Sequence, residues 1–183
     1  MSIVPDSKDW TWVLQRPCPE CGLDTRAFPR ESVAGMLRAN ADAWPAVLAA
    51  PGAATRTDPG KWSALEYGCH VRDVCRLYNR RLVLMLTRED PLFPNWDQDE
   101  TAVADKYADQ DPAQVAGELR AAAGALAERF IRVCGEDWQR TGRRSDGADF
   151  TIETFARYFI HDPVHHLYDV TGIPHVAGPG RFA

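Results

Sequence analysis

The sequence predicts an all-α protein, a four-helix bundle, on three observations. Apolar residues recur at helical spacing in four separate stretches. Each stretch is bounded by capping or helix-breaking residues. No stretch shows the strict polar/apolar alternation of a half-buried strand.

The first helix is expected over about Glu31 to Ala50. Val33, Leu37, Ala41, Trp44 and Leu48 share one face, and Pro51-Gly52 stops the run. The second opens on Ser63 and Glu66, a capping box, with Trp62 placed as a hydrophobic staple. Tyr67, Val71, Val74, Cys75, Tyr78, Leu82, Met85 and Leu86 form its stripe, which should end near Arg88. The third begins at Asp111-Pro112, a cap followed by proline at the first helical position. Val115, Leu119, Ala122, Leu126, Phe130 and Val133 follow, and Gly135 is read as the stop. The fourth runs from Thr151 to Gly172 around Ile152, Phe155, Phe159 and Leu167. Pro163 lies inside it and predicts a kink. The stretch from Glu89 to Gln110 is too long for a plain connector, and Asp99 to Tyr107 reads as a short helix within it.

Composition sets the class. The chain has 183 residues, 45% of them hydrophobic and 26% charged, which fits one soluble domain. The domain plan is an N-terminal extension (residues 1–30), the bundle (31–172) and a C-terminal tail (173–183). A formal net charge of −5 argues against nucleic-acid binding through bulk charge. No apolar run is long enough to cross a membrane, and MSIVPDSKDWTW does not read as a secretory signal. Five cysteines (Cys18, Cys21, Cys69, Cys75 and Cys134) are an odd number, which favours free thiols in a reducing compartment. A cytoplasmic location follows as the expectation. Arg outnumbers Lys by 18 to 3, and Ala is abundant, a mix typical of a GC-rich genome.

The chemistry centres on histidine. His161 and His165 are four residues apart on the fourth helix. That spacing turns the helix by about 400° and rises about 6 Å, so both imidazoles share a face and can reach one metal ion. His166 is rotated about 100° further and should point elsewhere. His70 lies beside the core stripe of the second helix. If those helices are neighbours, it supplies a third nitrogen. Three neutral imidazoles and an open position suit Zn²⁺ or Ni²⁺, and also Fe²⁺ or Co²⁺. Such a position can polarise a substrate oxygen, bind a thiolate or generate hydroxide. A His pair at this spacing also arises without a metal, as does a hydrogen-bonded core histidine. Asp73, Glu66, Asp162 and Asp169 stand near enough along their helices to orient imidazoles, and Tyr158 shares the His161/His165 face. Tyr158 and Asp73 are therefore the candidate catalytic residues.

Near the N-terminus, Cys18-Pro-Glu-Cys21-Gly22 is a Cys-x-x-Cys knuckle. A structural zinc needs four ligands, and no second knuckle is present. The knuckle reads as a redox dithiol, as half of a site completed by other residues or a partner chain, or as a turn clamping Trp10 and Trp12 onto the bundle. A structural role is favoured, because a redox role needs a lowered thiol pKa. Cys69 and Cys75 should face the core.

The residues Trp62-Ser63-Ala-Leu-Glu66-Tyr-Gly-Cys-His70-Val-Arg-Asp73, together with His161-Asp-Pro-Val-His165-His166, resemble the DinB/YfiT-like superfamily of metal-binding four-helix bundles. The resemblance spans about Glu31 to Gly172. It implies an up-down-down-up bundle, a divalent ion on His70, His161 and His165, and a homodimer. It is also similar to thiol-dependent S-transferases and maleylpyruvate isomerases, in which the metal activates the thiol of a cofactor such as mycothiol. The isomerase pattern has Glu where this chain has His161, a departure from that reading.

Two functions follow as expectations. One is a metal-dependent enzyme, a transferase or hydrolase acting on a small-molecule substrate through an activated thiol or water. The other is a non-catalytic metal-binding stress or dimerisation module. In the first, the Leu92 to Asp99 loop covers the site, with Trp96 and Phe93 in apolar contact and Asp97 and Asp99 in polar contact. A cysteine redox protein is a third, weaker reading, since thioredoxin-like chemistry is normally set near a strand.

Overall fold

The computed structural model describes residues 10–175. The first nine residues of the extension and the last eight of the tail lie outside the described part. Among the described residues there are five α-helices: α1 (Val33–Leu48), α2 (Ala64–Thr87), α3 (Gln98–Ala104), α4 (Pro112–Ile131) and α5 (Ile152–Thr171). The four long ones form the bundle. α4 and α5 each pack against both α1 and α2, so α1 and α2 occupy opposite corners.

The predicted stripes form most of the core, with Tyr67, Leu86, Ala122 and Leu167 only half-buried at its edge. Val33, Leu37, Ala41, Trp44 and Leu48 of α1 are all buried, as are Val71, Val74, Cys75, Tyr78, Leu82 and Met85 of α2. Val115, Leu119, Leu126 and Phe130 of α4 meet Ile152, Phe155 and Phe159 of α5 in the same core. Phe159 stacks near Tyr78 at 4.8 Å and Phe130 at 6.0 Å between ring centroids, tying three helices together.

The ends follow local chemistry. Ser63 Oγ accepts the Glu66 backbone N–H at 3.2 Å, and the Ser63 N–H donates to Glu66 Oε2 at 2.8 Å. Trp62 and Tyr67 pack 5.5 Å apart, completing the staple. The Glu66 carboxylate also takes the Arg56 guanidinium. Because Ser63 is buried, Ser63→Ala leaves the Glu66 N–H without its acceptor. The expected loss is about 1 kcal/mol in urea unfolding; no shift in midpoint would mean the box contributes nothing.

Two details differ from the sequence reading. α4 ends at Ile131, with Arg132 as its cap, rather than at Gly135, which opens a 3₁₀ turn over Gly135–Gln139. α5 spans Pro163, whose carbonyl accepts the Asn40 side-chain amide at 2.8 Å. It stops where expected, at Gly172, whose φ of +67° favours glycine.

The second difference is a small sheet: β1 (Leu92–Phe93), β2 (Thr141–Arg144) and β3 (Asp149–Thr151). β1 pairs parallel with β2, with Leu92 opposite Arg143; β2 pairs antiparallel with β3, with Gly142 opposite Phe150. Strands of two to four residues are too short to show a period, which is why the sequence did not reveal them. The sheet ties the α2–α3 connection to the β2–β3 hairpin. The Asn95 backbone N–H donates to Ser145 Oγ at 2.8 Å across that junction. The expected short helix in this connection is α3, with Asp97 as its cap.

The extension belongs to the same core. Val13, Cys18, Cys21, Leu23 and Thr25 are buried. Thr25 Oγ1 donates to the Val13 carbonyl, and Arg157 of α5 donates to the carbonyls of Thr25 and Phe28.

Candidate metal centre

α5 carries two histidine-containing pairs at four-residue spacing, offset by one position: His161/His165 and Asp162/His166. One residue of offset is about 100° around the helix. The two pairs therefore meet different neighbours.

Asp162 and His166 face α2. Their ligand atoms and that of His70 lie within 4.8 Å of one another. His70 Nε2 stands 3.4 Å from both carboxylate oxygens of Asp162. His166 Nδ1 is held by Asp169 Oδ2 at 2.9 Å, while its Nε2 is 3.9 Å from Asp162 Oδ2. A carboxylate on the outer nitrogen is the usual way to fix the tautomer of a metal-bound imidazole. Trp96 stacks flat on the His70 ring at 5.4 Å, with Trp62 at 5.2 Å.

His161 and His165 face the extension instead. Their ligand atoms lie within 4.8 Å of those of Cys18 and Cys21. The three-histidine set of His70, His161 and His165 is thus divided between two clusters. The register of α5 is the reason: Asp162, not His161, is the residue turned toward His70.

Burial governs the protonation states. It lowers the pKa of His70, and Asp162 opposes this only partly, so the imidazole is neutral near pH 7. Desolvation brings His161 down to about 4, helped by His165. Burial alone would raise Asp162, but the facing His70 and His166 hold it below the usual carboxylate range. Burial pushes the Cys21 thiol up to about 12, against the pull of the Leu23 backbone N–H. A raised thiol pKa speaks against a reactive redox dithiol.

The divalent ion implied by the bundle can be tested against these residues. Asp162 Oδ1, which faces His70 Nε2 at 3.4 Å, is a buried polar atom without a hydrogen-bond partner among the described residues. Two imidazoles and a carboxylate are a donor set that catalytic zinc and other divalent ions accept. The residues fit.

An open cleft of about 870 Å³ lies over α5, lined by Asp162 and His166 of this cluster and by His161 and His165 of the other. Trp10, Trp62 and Trp96 give it aromatic walls; Arg144, Tyr158 and Asp146 form a polar one. Arg144 reaches Asp146 at 2.8 Å and donates to the Tyr158 hydroxyl at 3.3 Å. Burial raises the Tyr158 pKa, so its hydroxyl keeps its proton at neutral pH. The Asn95 to Asp99 part of the connection lines the cleft as expected, including Trp96, Asp97 and Asp99. Phe93 does not: it is buried against Phe155 and Arg81.

Asp73, expected near the reacting groups, is placed elsewhere. Its carboxylate accepts Arg72 (3.0 and 2.9 Å), Arg76 (3.0 Å) and the Tyr107 hydroxyl (2.7 Å). It is not among the residues lining the cleft. Cys69 and Cys75 are buried in the core, as expected, and Cys134 is exposed. The sequence reading passed over Asp162 and His166 as ligands, although their spacing carried the same signal as His161 and His165.

A helical bundle whose last long helix aims two sets of metal-type donors in different directions defines a class: four-helix bundles with candidate metal-ligand clusters. The chain belongs to the DinB superfamily, whose family model matches residues 35–170. Among solved structures it is similar to YfiT from Bacillus subtilis, described as a probable metal-dependent hydrolase with an unusual four-helix bundle topology. That likeness has a TM-score of 0.66 and 18% identity, and covers 78% of this chain and 84% of YfiT. No curated protein matches the sequence. No helix among the described residues is long and apolar enough to cross a membrane.

Proposed function

We propose that the protein is a metal-dependent enzyme of hydrolase type, with His70, Asp162 and His166 holding a divalent cation at the floor of the cleft. One observation carries this: three metal-type donors from α2 and α5 converge within 4.8 Å beneath an open cleft. The metal-dependent activity ascribed to YfiT supports the reading by analogy of fold. When bound, such a cation acts as a Lewis acid and lowers the pKa of a coordinated water or thiol.

The chain's own residues do the rest. Asp169 fixes the His166 ring through Nδ1. Trp62 and Trp96 cover the His70 ring and keep water off that side. Tyr158 presents a protonated hydroxyl to a substrate in the cleft, and Arg144 a permanent positive charge suited to a carboxylate or phosphate. Zn²⁺ and Ni²⁺ are the cations to test first.

The experiment strips the protein of metal, reloads it with Zn²⁺ or Ni²⁺, and assays chromogenic ester, amide and phosphoester substrates. Thiol transfer to an electrophile, with several low-molecular-weight thiols including mycothiol, is assayed in parallel. Metal-dependent turnover that disappears in His70→Ala supports the proposal, and the productive panel separates water from thiol activation. Cation binding at His70 without any turnover would return the non-catalytic module. Metal content unaltered by His70→Ala would overturn the site itself.

A further inference from the structure

The donors facing the extension form a second cluster, distinct from the His70 cluster, and its His161 and His165 also border the cleft. Cys18, Cys21, His161 and His165 are all buried, with exposures of 1, 0, 4 and 7%. We propose that they hold a structural zinc ion that fastens the N-terminal segment to α5.

Each half is shaped for the purpose. The Cys18 carbonyl accepts the Gly22 N–H at 3.0 Å, and the Cys18 N–H donates to the Leu23 carbonyl at 2.9 Å. Gly22, at φ +78°, allows the chain to turn there. This compact turn puts both sulfurs on one side. On α5 the two imidazoles are one turn apart, with ring centroids separated by 5.1 Å. Cys18 Sγ lies 3.6 Å from His165 Nδ1. Tetrahedral zinc, with Zn–S about 2.3 Å and Zn–N about 2.0 Å, holds its ligand atoms roughly 3.3–3.8 Å apart.

Two features point to a ligand rather than to ordinary packing. His161 Nε2 is buried with no hydrogen-bond partner among the described residues, a costly state that coordination would relieve. His165 turns its other nitrogen toward the carboxylates of Glu20 (3.7 Å) and Asp169 (3.8 Å), which stand just beyond hydrogen-bond distance and give that side of the ring the acidic surroundings common around zinc-bound imidazoles. The donor chemistry selects the ion. Two thiolates and two neutral imidazoles cancel a 2+ charge, so the cluster can sit in the core. Four protein ligands leave no open position, which marks the site as structural. Binding releases the two thiol protons to solvent.

The consequence reaches the cleft. Trp10 packs 5.4 Å from the His161 ring and 5.2 Å from that of His165, and it forms part of the cleft wall. The zinc therefore seats one wall of the cleft, which His161 and His165 line together with Trp10.

The test uses the full chain and reads metal directly. Zinc per chain is measured after exhaustive dialysis, and Co²⁺ is then substituted to look for the near-ultraviolet charge-transfer band of cobalt–thiolate bonds. The expected result is one retained zinc per chain and a thiolate band that is lost in Cys21→Ser and kept in His70→Ala. Should Cys21→Ser fail to fold, the wild type decides: extracting zinc with a mercurial thiol reagent should release one equivalent and speed hydrogen exchange across residues 10–28. A cobalt-loaded protein without the thiolate band, or Cys21→Ser with unchanged zinc, overturns the proposal. Because His70→Ala probes only the other cluster, failure of the catalytic reading leaves this result standing.

Discussion

Asp162→Ala should abolish cation binding beneath the cleft while leaving the bundle folded. The carboxylate stands 3.4 Å from His70 Nε2 and is the sole charged donor of that cluster. Removing it leaves two imidazoles facing each other, with ring centroids 4.8 Å apart. Loss of a group that merely orients a ligand typically costs 10–100-fold in metal affinity. Loss of the ligand itself should therefore weaken the site by at least about 100-fold. Stability should change little. His70 is neutral because burial lowers its pKa, so no buried charge is stranded when Asp162 goes. Competition with a chromogenic chelator measures the affinity, and urea unfolding the stability. Affinity within a few-fold of wild type would remove Asp162 from the site. The cobalt–thiolate band of the other cluster should persist in this variant.

The second large effect concerns stability alone. Asp73 joins Arg72, Arg76 and the buried Tyr107 hydroxyl, and its side chain is only 14% exposed. Arg72 is itself buried and pairs with Glu118 at 3.0 Å. Asp73→Ala strands part of the Arg72 charge and the Tyr107 hydroxyl in the core. Breaking a buried ion pair from one side costs about 3–5 kcal/mol. The same network sets a pH dependence. Burial would raise the Asp73 pKa, but Arg72, Tyr107 and Arg76 more than offset this and lower it. A carboxylate with a depressed folded pKa stabilises the protein above its unfolded value, near 4. That contribution fades as pH falls through the folded value. Wild type should therefore lose stability on acidification below about pH 4, and Asp73→Ala should lose less over the same range. A destabilisation under 1 kcal/mol at pH 7 would contradict the network's role. Turnover per bound metal should stay at the wild-type level, which separates Asp73 from the catalytic role its helix position suggested.

Much of the fold was legible before any coordinates. The α2 start followed from Ser63, Glu66 and Trp62, and that of α4 from Asp111-Pro112, because capping is chemistry between near neighbours. The helix stripes followed because 3.6-residue periodicity is a local property. The three short strands were not legible: all are too short to show a period, and β1 exists only through pairing with the distant β2, Leu92 opposite Arg143. Phe93 was misplaced for the same reason: its burial depends on Phe155, far along the chain.

The sequence by itself determined that α5 would present titratable donors one turn apart and that Cys18 and Cys21 would sit together on a tight turn. Only the tertiary structure decided which donors meet. Helical spacing states which residues share a face and is silent on what that face touches. Cys18 and His165 are 147 positions apart, and a rotation of one residue on α5 separates the cysteine cluster from the His70 cluster. Packing of the extension and α2 on either side of that helix settled the division.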